Sequence, residues 1–166
     1  MSEISIPTGA SPEEVIPQLQ ALMDESEPPL TVMANTASLL YWSLEAINWV
    51  GFYLHDGSTL RLGPFHGKPA CTVIAVGKGV CGTAFAERKR INVPDVHDFP
   101  GHIACDSASK SELVLPLIHD GIIYGVLDVD SPVHNRFGIA EERLFEATAE
   151  LVSNHLAKWK GHVFPA

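Results

Sequence analysis

The hydrophobic pattern of this chain changes from a helical period to a strand period after residue 45. Apolar residues recur at helical spacing over residues 30–45, which predicts a helix with one apolar stripe. Over residues 48–54 they alternate instead, and a turn at 55–58 leads into residues 59–62, which predicts a hairpin. We therefore expect the helical stripe to lie on a sheet that is built from hairpins.

Further helices are predicted near both ends of the chain. Ser11 is a good capping residue, Pro12 suits the first helical position, and Glu14 completes a capping box ahead of an apolar run. Residues 140–160 are predicted to form the closing helix.

The middle of the chain predicts the rest of the sheet. The elements expected there are a strand at 71–76, a short helix at 79–87, a short strand at 91–93, and a hairpin of 111–118 with 122–130. Residues 94–109 contain proline, glycine and three aspartates and are expected to form a long loop. Long loops in compact domains are usually functional.

Composition limits the possible functions. With 166 residues and 46% hydrophobic residues, the chain is long enough for one domain with its own core, and we expect a single domain over residues 1–166. Lys and Arg number 11 against 20 Asp and Glu, a formal charge of −9. This charge repels a phosphate backbone or an anionic membrane surface, so neither nucleic acid nor a membrane is an expected partner.

The chemical role of the three cysteines depends on the cellular compartment of the protein. The first residues lack a basic segment followed by an apolar stretch, and no run approaches the roughly 20 apolar residues that cross a bilayer. We therefore expect a cytoplasmic protein. In that reducing compartment three cysteines do not form a disulfide framework, and they indicate buried thiols, metal ligands or transient redox chemistry.

All three cysteines stand beside small residues and outside apolar runs. Cys105 lies in the small, polar segment Gly101-His102-Ile103-Ala104-Cys105-Asp106-Ser107, which favours a working thiol. Cys71 follows a Gly-Lys-Pro-Ala segment, and Cys81 has Gly82 as its neighbour. All three are expected to be accessible.

The first predicted strand has two distinct faces. Period two places Trp49, Gly51 and Tyr53 together on one face, with a gap at the glycine. By itself this pattern favours an ordinary half-buried strand with amphipathic rings at its margin. The alternative is a two-walled aromatic slot for a methyl group, a thioether or a cation.

The last predicted strand carries two carboxylates, Asp128 and Asp130, on the face that it shares with Ile122, Tyr124 and Val126. The end of a strand at the solvent would explain these acids about as well as a functional site does.

The turn at residues 119–121 decides whether Glu112 joins those carboxylates. A two-residue turn at Asp120 and Gly121 places Glu112 opposite Val129, on the other face. A three-residue turn with a bulge places Glu112 opposite Asp128. Only the second arrangement gathers three carboxylates.

Three carboxylates in a confined site would have a use beside a thiol. Like charges raise one another's pKa and keep a proton bound. Reduction of a sulfoxide by a thiolate needs an acid as well as a nucleophile, because the oxygen is finally lost as water. The same carboxylates could hold an ammonium group.

Five segments that include all three cysteines closely resemble the free methionine-(R)-sulfoxide reductases, enzymes built on a GAF domain. The similar segments are residues 48–53, 63–71, 77–83, 101–107 and 125–132. The resemblance covers about residues 14–159. It implies an α+β fold, in which a single GAF domain has a six-stranded antiparallel sheet, helices on one face and a loop-enclosed pocket on the other, and it implies a homodimer.

The resemblance also implies roles for individual residues. Cys105 matches the nucleophile, Cys71 the usual resolving thiol, and Cys81 a third cysteine that can take part in recycling through a redox-active disulfide. The substrate site matches two aromatic residues and three acids: Trp49, Tyr53, Glu112, Asp128 and Asp130.

The chemistry that the family implies is repair of oxidised free methionine. Thioredoxin is the implied reductant, and thiol exchange requires no flavin, metal or nicotinamide cofactor in the chain. Within the acid cluster, Glu112 and Asp130 are assigned proton donation and Asp128 the substrate amino group.

Three other interpretations fit the sequence less well. GAF domains also serve as small-molecule sensors, although a sensor has no use for accessible cysteines. A metal site from the cysteines and a histidine would lack the close pairing of ordinary zinc sites, so no metal is expected. A structural dimer with inert cysteines fits their settings least. His102 is the nearest group that could lower the pKa of Cys105, but a lone loop histidine is more often solvated or capping.

Overall fold

A computed structural model of the chain describes residues 9–103 and 106–161. Its elements, in chain order, are α1 (Pro12–Leu22), α2 (Pro29–Ser43), β1 (Trp49–His55), β2 (Thr59–Gly67), β3 (Val73–Ala75), α3 (Gly79–Glu87), β4 (Ile91–Val93), a 3₁₀ turn (Val96–Asp98), β5 (Ser111–His119), β6 (Ile122–Ser131) and α4 (Ile139–Lys158).

The strands form one six-stranded sheet in the order β3-β2-β1-β6-β5-β4. All neighbouring strands are antiparallel. The predicted α+β fold is confirmed. β2 is longer than predicted and β3 shorter, whereas α3 and β4 have the predicted bounds.

One face of the sheet carries the main core. Helices α2 and α4 pack there against alternate residues of the central strands, including Val50, Phe52 and Leu54, and α1 packs against these two helices. The predicted capping box fixes the start of α1, where the Ser11 backbone N–H donates to Glu14 Oε2 at 2.8 Å. Leu30, which the helical pattern assigned to the buried stripe, is exposed at the start of α2.

The opposite face is covered by α3 and loops. Apolar residues of α3, including Val80 and Ala84, pack against Tyr53 of β1 and Val126 of β6 in a second, smaller cluster. This cluster forms the floor on which the polar side chains described below are placed.

A bulge in β6 sets the register of the β5–β6 hairpin. Asp120 and Gly121 both have positive φ, 47° and 78°, as a tight two-residue turn requires. The first pairs are consequently His119 with Ile122 and Ile118 with Ile123, but Leu117 already pairs with Gly125. Tyr124 is therefore the extra residue of a β-bulge.

The bulge gives the hairpin a register that differs from both registers predicted from the sequence. The two-residue turn is present, but the extra residue moves Glu112 one position further, so that it pairs with Asp130 and with neither Val129 nor Asp128. Glu112 therefore lies on the same face of the sheet as Asp128 and Asp130, because the two-residue turn is combined with a bulge.

The bulge also changes which side chains share that face. Before the bulge the alternation is inverted, so Tyr124 packs on the main core and Ile123 on the second cluster. Ile122 is exposed. The prediction that Ile122 and Tyr124 share a buried face with Val126 is wrong for this reason.

In the described residues, no helix has both the length and the apolar character that a membrane crossing requires.

Candidate active site

A pocket lies on the α3 side of the sheet, between β1, β6, α3 and the loop residues 68–70, 102–103 and 106–109. Six of the predicted site residues line it, namely Trp49, Tyr53, Cys81, Glu112, Asp128 and Asp130. Cys105 lies outside the described residues. Ala70, the neighbour of Cys71, and His102 also line the pocket.

Two strands bring the three carboxylates together. Glu112 of β5 pairs with Asp130 of β6, and Asp128 lies two residues before Asp130 on the same face. The same stretch of β6 pairs with β1, so that Trp49 lies opposite Asp130. Glu112 and Asp128 are each only 6% exposed.

The environment of the cluster favours protonated carboxyl groups. Burial raises the pKa of Glu112, Asp128 and Asp130 well above the ordinary values, and repulsion between neighbouring carboxylates raises each pKa further. Both effects favour the protonated form of the cluster, the direction expected for three gathered acids.

Cys81 is buried beside these acids. Its Sγ lies 4.0 Å from Glu112 Oε1, and it carries a free thiol. Burial raises its pKa, and the charges of Asp128 and Glu112 raise that pKa further, so the group remains a thiol. The expectation that Cys81 is accessible is wrong, because α3 packs tightly on the sheet. A Cβ on Gly82 would lie 2.4 Å from the Ala75 carbonyl oxygen.

Replacing Asp128 with asparagine is expected to stabilise the fold at neutral pH. Because burial raises the pKa of this carboxyl group, the folded chain keeps a proton that the unfolded chain releases above about pH 4. The free energy of unfolding of the parent chain therefore falls as pH rises through that range, and asparagine removes this loss.

Thermal unfolding checks this prediction. The variant should gain roughly 2–4 °C or more in Tm near neutral pH, which corresponds to about 1 kcal/mol for a domain of this size. The gain should disappear near pH 4, where both states are protonated. Asp120→Asn is the control, since the Asp120 side chain is 88% exposed. A gain that does not depend on pH would contradict the account.

The aromatic residues form one continuous wall. The rings of Trp49 and Tyr53 are stacked with centroids 6.0 Å apart, and Phe65 stacks on Trp49 at 5.3 Å. Phe65 also covers Gly51, where a Cβ would lie 2.3 Å from the Phe65 Cβ. The gap that was expected at Gly51 is therefore filled, and no two-walled slot opens between the rings.

The polar ends of the same two aromatic residues hold the segment that contains Cys71. Trp49 Nε1–H donates to the Lys68 carbonyl oxygen at 3.1 Å, and the Tyr53 hydroxyl donates to the Cys71 carbonyl oxygen at 2.9 Å. Burial raises the pKa of Tyr53, so its hydroxyl remains a donor. Cys71 is disulfide-bonded.

His102 contacts the acid cluster. Its Nε2 lies 3.4 Å from Glu112 Oε2, and burial lowers the pKa of the imidazole, which favours the neutral ring. A role of His102 in lowering the pKa of Cys105 stays a prediction, because Cys105 lies outside the described residues.

A polar network beside the pocket was missed by the sequence analysis. Asn48 Nδ2 donates to Ser109 Oγ at 3.0 Å and to Asp106 Oδ2 at 3.3 Å. Lys68 Nζ lies 3.7 Å from the same Asp106 oxygen. The pKa of Asp106 is lowered, first by the Ala108 backbone N–H and then by Asn48 and Lys68. The only sequence signal was an asparagine directly before β1.

Comparisons with known proteins agree with this geometry. The GAF domain family matches residues 28–156. The chain is 54% identical to the free methionine-R-sulfoxide reductase of Escherichia coli over 123 residues, which cover 74% of each chain. It is 40% identical over 153 residues to the Saccharomyces cerevisiae protein of the same name, with 85% of each chain covered.

A solved structure resembles the fold along nearly its whole length. The free methionine-R-sulfoxide reductase of Neisseria meningitidis, determined in complex with its substrate, has a TM-score of 0.87 and 37% identity. The match covers 94% of this chain and 97% of the Neisseria chain.

Proposed function

This chain belongs to the GAF domain family and, within it, to the free methionine-(R)-sulfoxide reductases, and from this premise we propose that it reduces free L-methionine-(R)-sulfoxide to L-methionine. The observation that carries the proposal is the pocket in which buried carboxyl groups lie beside an aromatic wall. Such a pocket offers apolar contact for a methyl group, acceptors for an ammonium group and acid for a departing oxygen.

The three acids are proposed to have separate roles in binding and in protonating the substrate. Asp128 holds the ammonium group of the amino acid, and its buried Oδ1 has no hydrogen-bond partner among the described residues. Glu112 and Asp130 share the proton that the sulfoxide oxygen receives. The Trp49 and Tyr53 wall contacts the methyl end. A buried acceptor for the amino group would favour a free amino acid over a residue within a peptide.

The redox steps are proposed to pass through the cysteines. The Cys105 thiol and the sulfoxide yield methionine and a sulfenic acid on Cys105 as the S–O bond of the substrate breaks. The Cys71 thiol then condenses with the sulfenic acid, which forms a Cys71–Cys105 disulfide and releases water. An external dithiol reduces this disulfide and is itself oxidised. The support for this sequence is that Cys71 is disulfide-bonded while Cys81 is free.

The cellular setting is part of the same proposal. We infer thioredoxin as the dithiol, a homodimeric assembly, a cytoplasmic location and a single functional domain, because the resemblance to the family favours them.

An assay with three substrates tests the activity. The reduced protein is incubated with dithiothreitol and, separately, with free L-methionine-(R)-sulfoxide, its S epimer and a sulfoxide within a peptide. Methionine should be formed only from the free R epimer. If that epimer is not turned over, the proposed function is wrong, and equal turnover of the peptide would contradict the role given to the buried carboxylates.

Tyr53→Phe is expected to slow closure of the disulfide more than it slows methionine release. The ring is retained, but the Cys71 carbonyl oxygen loses its donor, a change that costs about 1–3 kcal/mol when the group is buried. Disulfide formation after a single turnover should fall by roughly tenfold, as measured by thiol alkylation at timed intervals. Tyr124→Phe, which changes a tyrosine on the opposite face, serves as the control. Equal slowing of both steps would show that the hydroxyl does not position Cys71.

A further inference from the structure

Three potential metal ligands converge in the pocket. The Cys81 sulfur and one carboxylate oxygen each of Glu112 and Asp128 all lie within 4.8 Å of one another, and all three residues are buried. His102 adds an imidazole nitrogen 3.4 Å from Glu112 Oε2. This set differs from the three-cysteine site considered from the sequence, because only Cys81 supplies sulfur.

Among the described residues, no lysine or arginine forms an ion pair with the cluster. Asp128 Oδ1 is buried and accepts no hydrogen bond from any residue that the structure describes. Lys68 and Lys78 line the same pocket, but the Lys68 side chain is 73% exposed and its ammonium lies near Asp106. Buried carboxyl groups are neutralised by bound protons, by a paired cation or by a metal. The unpartnered Asp128 Oδ1 offers an acceptor through which a positively charged occupant can replace the protons.

We propose that the substrate-free, reduced protein binds one Zn²⁺ in this pocket through Cys81, Glu112 and Asp128, with His102 as the fourth ligand. A mixed thiolate, carboxylate and imidazole set suits Zn²⁺ better than it suits Mg²⁺ or Ca²⁺, which prefer oxygen ligands alone. Bond lengths of roughly 2.0–2.3 Å place tetrahedral ligands roughly 3–4 Å apart. The ligand atoms of Cys81, Glu112 and Asp128 need only small side-chain movements to reach this geometry, and His102 approaches from the Glu112 side.

The bound metal would inhibit the enzyme. It would occupy the carboxylate that is proposed to hold the substrate ammonium group, so zinc and the amino acid would exclude each other. This consequence rests on the proposed function, whereas the metal site itself rests only on the arrangement of the ligands.

A cobalt titration tests the site without any turnover. In the Cys71→Ser/Cys105→Ser double variant Cys81 is the only thiol, so a thiolate-to-cobalt charge-transfer band must come from it. Co²⁺ added to this variant should produce that band with a stoichiometry of one ion per chain, and Zn²⁺ should abolish it. If the band is absent, the site is refuted.

Further variants identify the other ligands. Adding Cys81→Ser should remove the band, and adding Asp128→Asn or Glu112→Gln should weaken cobalt binding by roughly tenfold or more. Asp120→Asn, at an exposed aspartate, should leave the affinity unchanged. Cobalt affinity that is the same with Asp128→Asn as without it would overturn the assignment. Circular dichroism confirms that each variant is folded.

Competition separates the two proposals. Excess L-methionine should lower the apparent cobalt affinity of the double variant if the metal and the amino group share Asp128. If methionine has no effect, mutual exclusion is wrong. If the cobalt band forms but the parent protein reduces no sulfoxide, the metal site stands and the proposed function fails.

Discussion

Cys105→Ser is expected to release no methionine at all, even in a single turnover. The serine hydroxyl at neutral pH is a far weaker nucleophile than a thiolate and cannot accept the sulfoxide oxygen to form a sulfenic acid. Reduced enzyme that has been freed of external reductant, mixed with excess free R-sulfoxide and quenched at timed intervals, measures this directly. The parent protein should release one methionine per chain in a burst.

Cys71→Ser is the matched control for that result. It removes a thiol from the same pathway but leaves the proposed nucleophile, so the burst of one methionine per chain should persist. Recycling by a dithiol should slow, and mass spectrometry should detect a sulfenic acid or a bridge between Cys81 and Cys105. If both variants lose the burst equally, the roles given to the two cysteines are wrong.

The acid cluster is expected to give the second large effect. Glu112→Gln or Asp130→Asn should lower the single-turnover rate by roughly 10²-fold or more, because each substitution removes a group that can transfer a proton to the departing oxygen. Asp128→Asn should mainly raise KM, since its proposed contact is the substrate amino group. Rapid-quench measurements over a range of substrate concentrations separate the two effects.

The pH profile tests the origin of the loss. Burial raises the pKa of Glu112 and Asp130, so the active form is the protonated one, and activity falls on the alkaline side as the shared proton leaves. The Gln and Asn variants should be slow at every pH but should lack this alkaline fall. If their profiles match that of the parent protein, the carboxylates bind substrate without serving as acids.

Local signals in the sequence predicted much of the fold. The capping box at Ser11 and Glu14 fixed the start of α1, and the alternation in β1 assigned Val50 and Tyr53 to the correct faces of the sheet. These predictions succeeded because each depends on residues within a few positions of one another. The two acids on β6 were placed correctly for the same reason.

Contacts distant in the sequence were not predictable in this way. The bulge at Tyr124 follows from pairing along the whole hairpin, and no turn residue signals it. Phe65 fills the space above Gly51 because β2 pairs with β1 in one particular register. The contact of Asn48 with Ser109 spans 61 positions. Glu112 was a candidate through one of two possible registers and through the family resemblance, and its partner in the sheet, Asp130, belongs to neither register.

The sheet separates the main core on one face from the pocket on the other. This arrangement predicts which amino-acid substitutions the protein tolerates. In β1, a substitution at Val50 or Phe52 should lower the stability of the fold, whereas one at Trp49 or Tyr53, which line the pocket, should lower turnover under the proposed function. Loss of abundance and loss of turnover should therefore alternate residue by residue along the strand. In β6 the bulge at Tyr124 interrupts this alternation. The pattern of tolerated substitutions should therefore shift by one residue at the bulge.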